Sequence, residues 1–118
     1  VVSFANGPGG RIVFGVRNQP RQIIGVPDDE LFILEERISN HIFSLCSPTI
    51  IPEIYTQIAE GKNILVVEIF PGSQKPYYLK TKGKHKGTYI QMGSTNKPAS
   101  SEILEDLERQ KKISRLKS

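Results

Sequence analysis

Apolar residues along this chain fall into two alternating patterns, short β-branched runs and longer stripes at helical spacing. Val1-Val2-Ser3-Phe4-Ala5 reads as the last turn of a helix ended by Asn6-Gly7, residue types suited to helix C-termini. After the turn Pro8-Gly9-Gly10, the run Arg11 to Val16 predicts a buried strand. Polar Arg17 to Arg21, with Pro20, predicts a hairpin-type turn into a return strand over Gln22 to Val26. Leu31, Leu34, Ile38, Ile42 and Leu45 then recur every third or fourth residue, which predicts an amphipathic helix near 28–46 that stops before Pro48. Asp28 is its expected N-cap, with Asp29 and Glu30 placed to favour the helix dipole. Ile50 to Ala59, with Pro52 marking an edge or a start, and Ile64 to Phe70 predict a hairpin across the tight turn Glu60 to Asn63. Tyr77-Tyr78-Leu79 reads as extended, Lys80 to Lys86 as a mobile loop, and Thr88 to Met92 as a strand ended by Gly93-Ser94. Ser100 or Ser101 caps a last helix near 99–112, with Ile103, Leu104 and Leu107 facing the core. These elements predict an α/β (α+β) domain with a mixed sheet of about five strands.

Length and composition narrow the class. The chain has 118 residues, one domain's worth, and 37% apolar residues suffice for one modest core. No stretch is long and apolar enough for a membrane helix. One cysteine, Cys46, excludes a disulfide scaffold, and with His41 and His85 it cannot close a four-ligand zinc site without carboxylates. No cofactor is expected. The absence of a visible signal peptide points to the cytoplasm. The start at Val1, without an initiator Met, is that expected of an excised fragment.

The net charge of +4 is unevenly distributed. Residues 1–71 hold five basic and eight acidic residues, whereas residues 72–97 hold six lysines (Lys75, Lys80, Lys82, Lys84, Lys86 and Lys97) and no acid. Such a window attracts a polyanion or serves as a solvated, solubilising loop. Tyr77, Tyr78 and Tyr89 interleave with it. Cations seek phosphates and aromatic faces stack on unpaired bases, unless the tyrosines belong to the sheet core.

Other constellations favour structural readings. Asn6-Gly7-Pro8-Gly9-Gly10 lacks the Lys-Ser/Thr pair of a phosphate loop and precedes a strand where such a loop precedes a helix. Its glycines let the preceding helix lie close to the sheet. Glu35 and Glu36 project about 100° apart and do not converge. His41 sits beside an apolar stripe, and Cys46 has no basic neighbour close in sequence, as expected of a buried thiol. No nucleophile elbow is present.

Phe4-Ala5-Asn6, two residues, then Gly9-Gly10 and a strand ending Phe14-Gly15-Val16 resemble the hallmark of the Schlafen-type AlbA domain. The resemblance continues in order through Ile23-Ile24-Gly25-Val26, Glu36-Arg37-Ile38, Ser47-Pro48, Val66-Val67-Glu68-Ile69, Pro71-Gly72-Ser73, Pro76-Tyr77-Tyr78, Tyr89 to Thr95 and Pro98-Ala99-Ser100. It implies an Alba-like two-layer sandwich over residues 1–110, lacking its N-terminal segment, with 111–118 as a basic tail or linker. It also implies a DNA-binding domain of a bacterial or archaeal transcriptional regulator, in a class whose members commonly pair as homodimers. Vertebrate Schlafen relatives carry a nuclease site made of two glutamates, from a segment preceding this chain, and an aspartate. That aspartate's position is held here by Asn18, a neutral amide where a metal-dependent cut needs carboxylates to hold the ion and activate water. The expectation is therefore a non-enzymatic domain that contacts phosphates through Lys80, Lys82, Lys84 and Lys86, with Arg11, Lys75 and Lys97 as further contacts. The alternatives are a Schlafen-like endoribonuclease completed by the preceding glutamates and a protein-interaction or oligomerisation module.

Overall fold

Glycine and proline set most of the element boundaries in the computed structural model, which describes residues 1–93 and 95–117. A single helical turn, α1 (Val2–Ala5), leads into strand β1 (Gly10–Phe14). Gly15, at φ +101°, breaks the predicted 11–16 strand, and the chain leaves the sheet as a separate ribbon of β2 (Val16–Asn18) and β3 (Arg21–Ile23). The turn expected over 17–21 shrinks to Gln19-Pro20, because Arg17 and Asn18 pair with Gln22 and Arg21. Helix α2 spans Asp28–Leu45. Its N-cap is Pro27, so Asp28 is the first helical residue and not the cap. The Asp28 side chain instead accepts a hydrogen bond from Asn63 Nδ2.

Strand β4 (Cys46–Ser47) follows directly, then β5 (Glu53–Ala59) and β6 (Lys62–Ile69). Pro52 ends up just outside β5, whose pairing begins at Glu53. Glu60 and Gly61, both at positive φ, make the two-residue connection. Next come β7 (Tyr78–Leu79), the short helix α3 (Gly83–Gly87), β8 (Tyr89–Met92), β9 (Thr95–Pro98) and α4 (Ser101–Lys117). Ser100 Oγ accepts the Ile103 N–H, so Ser100 is the cap. In the turn between β8 and β9, Ser94 lies outside the described residues. No described helix is long and apolar enough to cross a membrane.

The chain is α+β. Its described strands form one three-stranded antiparallel sheet, ordered β1-β6-β5, and three two-stranded ribbons, β2-β3, β4-β7 and β8-β9. This corrects the expected single mixed sheet. Breaks at Gly15 and the Pro71-Gly72 segment divide the strands, and among the described residues only an isolated bridge, Tyr78 to Thr88, joins the last two ribbons as a β-pairing. The α2 stripe covers one face of the three-stranded sheet. Ile38 and Ile42 join Ile12, Phe14, Ile54, Val67 and Ile69 in a core that also holds Val2, Ala5, Cys46, Ile50 and Tyr77. Leu65, Val67 and Ile69 are essentially inaccessible, each contributing about 1.5–3 kcal/mol through burial.

Candidate functional site

Asn6 organises the lysine-rich half of the molecule. Its Nδ2 donates to the carbonyls of Tyr77 and Tyr89, each at 2.9 Å, and its Oδ1 accepts the Tyr77 N–H at 2.7 Å. α1 can sit close enough because of two glycines. A Cβ on Gly10 would lie 2.7 Å from the Phe4 ring, and one on Gly9 2.6 Å from the Ile69 carbonyl. Tyr77 is buried against Gly72, and its hydroxyl accepts the Gln74 N–H at 3.2 Å. Tyr77 is thus a core residue, as the structural alternative had it.

The segment expected to be a mobile loop is folded. α3 is tied at one end by Lys82 N–H to the Leu79 carbonyl (3.1 Å) and at the other by Thr88 Oγ1, which donates to the Lys84 carbonyl (2.5 Å). Gly87 packs on the Leu79 backbone too closely for any side chain. This frame displays the lysines in distinct states. Lys82 Nζ donates to Tyr89 Oη at 2.9 Å and lies 5.4 Å from that ring's centre. Lys84 forms an ion pair with Glu108 of α4, so an acid from outside the segment offsets one of its charges. Lys80 borders a polar cleft lined by Ser47, Thr49, Ser73, Gln74 and Tyr77. Lys86 and Lys97 have no side-chain partner among the described residues, and Lys97 stands on β9 opposite Ile90, one step from Tyr89. Lys75 Nζ donates to Gln110 Oε1 at 3.1 Å.

Arg11 stands apart from the lysines. It projects from β1 toward Glu68, 3.0 Å away across the β1–β6 pair. The hydrogen bond to Glu68 and that carboxylate's charge raise its pKa. Cys46 is a buried free thiol whose pKa burial pushes up, as expected of a structural cysteine. Asn18 lies at the exposed end of β2. Among the described residues, no three of His, Cys, Asp and Glu converge on one point.

The arrangement is a lysine-rich folded segment in which one lysine, Lys82, is held on a tyrosine and another, Lys84, is paired with an acid of α4. Sequence reasoning found its lysines but missed Glu108, since nothing local to residues 72–97 signals an acid arriving from α4.

The sequence model of the family described as Schlafen, AlbA_2 matches residues 1–100. Among solved structures, the DIP2311 protein of Corynebacterium diphtheriae superposes with a TM-score of 0.66 at 21% identity, covering 93% of this chain and 20% of that one. This chain therefore spans about one fifth of that protein, and the likeness is one of fold. The N-terminal domain of a protein from Nitrosomonas europaea, named for its relation to the ATP-dependent DNA helicase RecG, superposes with a TM-score of 0.56. It is 26% identical, with 84% of this chain and 71% of that one covered. No curated protein matches significantly.

Proposed function

The chain belongs to the Schlafen, AlbA_2 family, and from that premise we propose that it is a nucleic-acid-binding domain, acting on duplex DNA as part of a transcriptional regulator. The observation that carries this reading is the display of Lys80, Lys82, Lys86 and Lys97 on a folded segment without a carboxylate of its own, with Lys82 held on Tyr89. Lysines of this kind attract a phosphate backbone and release its counterions. The helicase-related name of the Nitrosomonas protein supports the same class of ligand.

A salt titration of binding to unrelated duplexes tests the proposal. Each phosphate neutralised adds about 0.9 to the slope of log affinity against log salt. Replacing Lys80, Lys82 and Lys86 together with Ala should weaken binding alike for all sequences and flatten the slope by about 2 to 3. Lys84→Ala should change the slope less, because Glu108 already offsets that charge. Unchanged affinity and slope in the triple variant would remove the basis of the reading. It would favour a protein-interaction role.

We propose further that the domain binds without cutting. Asn18 presents an amide where the vertebrate relatives have an acid, and the described carboxylates do not converge. Incubation with RNA and Mg²⁺ or Mn²⁺ should leave the RNA intact. Cleavage abolished by substituting one of the chain's own residues would refute this. Finally, we propose that two copies pair through the free edge of β5.

A further inference from the structure

The β2–β3 ribbon has no role in the lysine surface, yet its composition is unlike the rest of the chain. Residues 17–22 read Arg-Asn-Gln-Pro-Arg-Gln, and all six are exposed. None makes a side-chain hydrogen bond or ion pair with another described residue, whereas Arg11 and Arg109 are each held by a carboxylate. No acid occurs between Val1 and Asp28. The lysine surface offers compact point charges that suit phosphates. The ribbon offers planar guanidinium and amide groups, the types that pair with guanine and adenine edges in the major groove.

Resting on the nucleic-acid reading above, we propose that this ribbon enters the major groove of duplex DNA and reads bases through Arg17 and Gln22. The register places Arg17 opposite Gln22, so both side chains leave the same face. Val16 and Ile23 pair on the other face and are half-buried, which turns that face toward the body and Arg17 and Gln22 away from it. Three-residue arms at about 3.3 Å per residue reach about 10 Å, and the major groove is about 8.5 Å deep and wide enough for a two-stranded ribbon.

The root is fixed. The Gly15 carbonyl accepts the N–H groups of Ile24 (2.8 Å) and Gly25 (2.9 Å), and Val26 N–H donates to the Asn63 carbonyl at 2.8 Å. Gly15 and Gly25 both have positive φ, and a Cβ on Gly15 would lie 3.3 Å from the Gly25 backbone. Only a pair of glycines lets the chain turn out of the sheet this tightly. The ribbon leaves at the Phe14 end of β1, whereas Asn6, which grips Tyr77 and Tyr89, precedes the Gly10 end. The two surfaces can therefore be altered separately.

The test starts with duplexes selected by the wild-type 118-residue chain from a randomised DNA library, compared with scrambled duplexes of equal composition. Arg17→Ala combined with Gln22→Ala should cut the preference for selected over scrambled DNA by about ten- to a hundredfold. The single Gln22→Ala variant should lower the preference with the salt slope unchanged, since it removes no charge. The Lys80, Lys82 and Lys86 triple variant should weaken both duplexes alike and keep the preference. An unchanged preference in the ribbon variants, or none in the wild type, overturns base reading while leaving the nucleic-acid proposal standing. Equal competition by duplex RNA, whose major groove is too narrow for a ribbon, also overturns it. A wild-type chain that binds no DNA overturns both.

Discussion

Asn6 is only 6% exposed and satisfies three backbone groups that no other described side chain reaches. Asn6→Ala strands those groups in the interior, and each unsatisfied polar group costs about 1–3 kcal/mol beyond the bond itself. We expect a loss of about 3 kcal/mol or more, read from the denaturant midpoint, with the loss concentrated in a faster unfolding rate because these contacts join distant segments. Asn6→Asp should do no better, since it keeps the acceptor for the Tyr77 N–H but sets a charged oxygen against two carbonyls. The hallmark was legible as residue types, and the close approach of α1 to the sheet followed from Gly9 and Gly10. What Asn6 holds was not legible, because its partners lie 71 and 83 residues away and no local spacing encodes them.

At the level of elements, long periodic segments matched their sequence patterns and short polar ones did not. α2 buries Ile42 and half-buries Leu31, Leu34, Ile38 and Leu45, the predicted stripe. β9, Thr-Asn-Lys-Pro, has no apolar residue to announce it and exists because β8 supplies a partner. α3, Gly-Lys-His-Lys-Gly, has poor intrinsic helix propensity and is held by Thr88 and Leu79. The α3–α4 junction also tunes charge. The Lys84–Glu108 pair is 42% exposed on both sides, so it contributes less than about 1 kcal/mol to stability. Its larger effect falls on the cationic surface. Glu108→Gln should tighten binding to duplex DNA at low salt and steepen the salt slope by about one. The same substitution combined with Lys84→Ala should abolish that gain.

For the molecule as a whole, the open question is which surfaces stay wet. β5 lies at the edge of the three-stranded sheet, and Ile51 just before it and Ile58 within it are 83% and 68% exposed. An antiparallel pairing of two β5 edges about a twofold axis would satisfy the unpaired backbone groups and cover Ile58. Sedimentation of the wild type should show a species of twice 13.2 kDa at high protein concentration. Ile58→Lys should return it to the single-chain mass. A wild type that stays at 13.2 kDa would rule the pairing out. The division into one sheet and three ribbons was the least legible property. Strand length and apolar character indicate that a strand exists, whereas which strand accepts it depends on breaks such as Gly15 and on contacts across the whole chain.

The Asn6 clamp also imposes an order in time. A nascent chain grows at about 5–20 residues per second, so Tyr89 is joined roughly 4 to 17 seconds after Asn6. Until then α1 has no lock, and before β6 is made the apolar Ile12-Val13-Phe14 run has no strand to pair with. Within this domain α1 and β1 are made before the segments that secure them, so β1 stays without its partner until β6 is complete and α1 without its clamp until Tyr89 is joined.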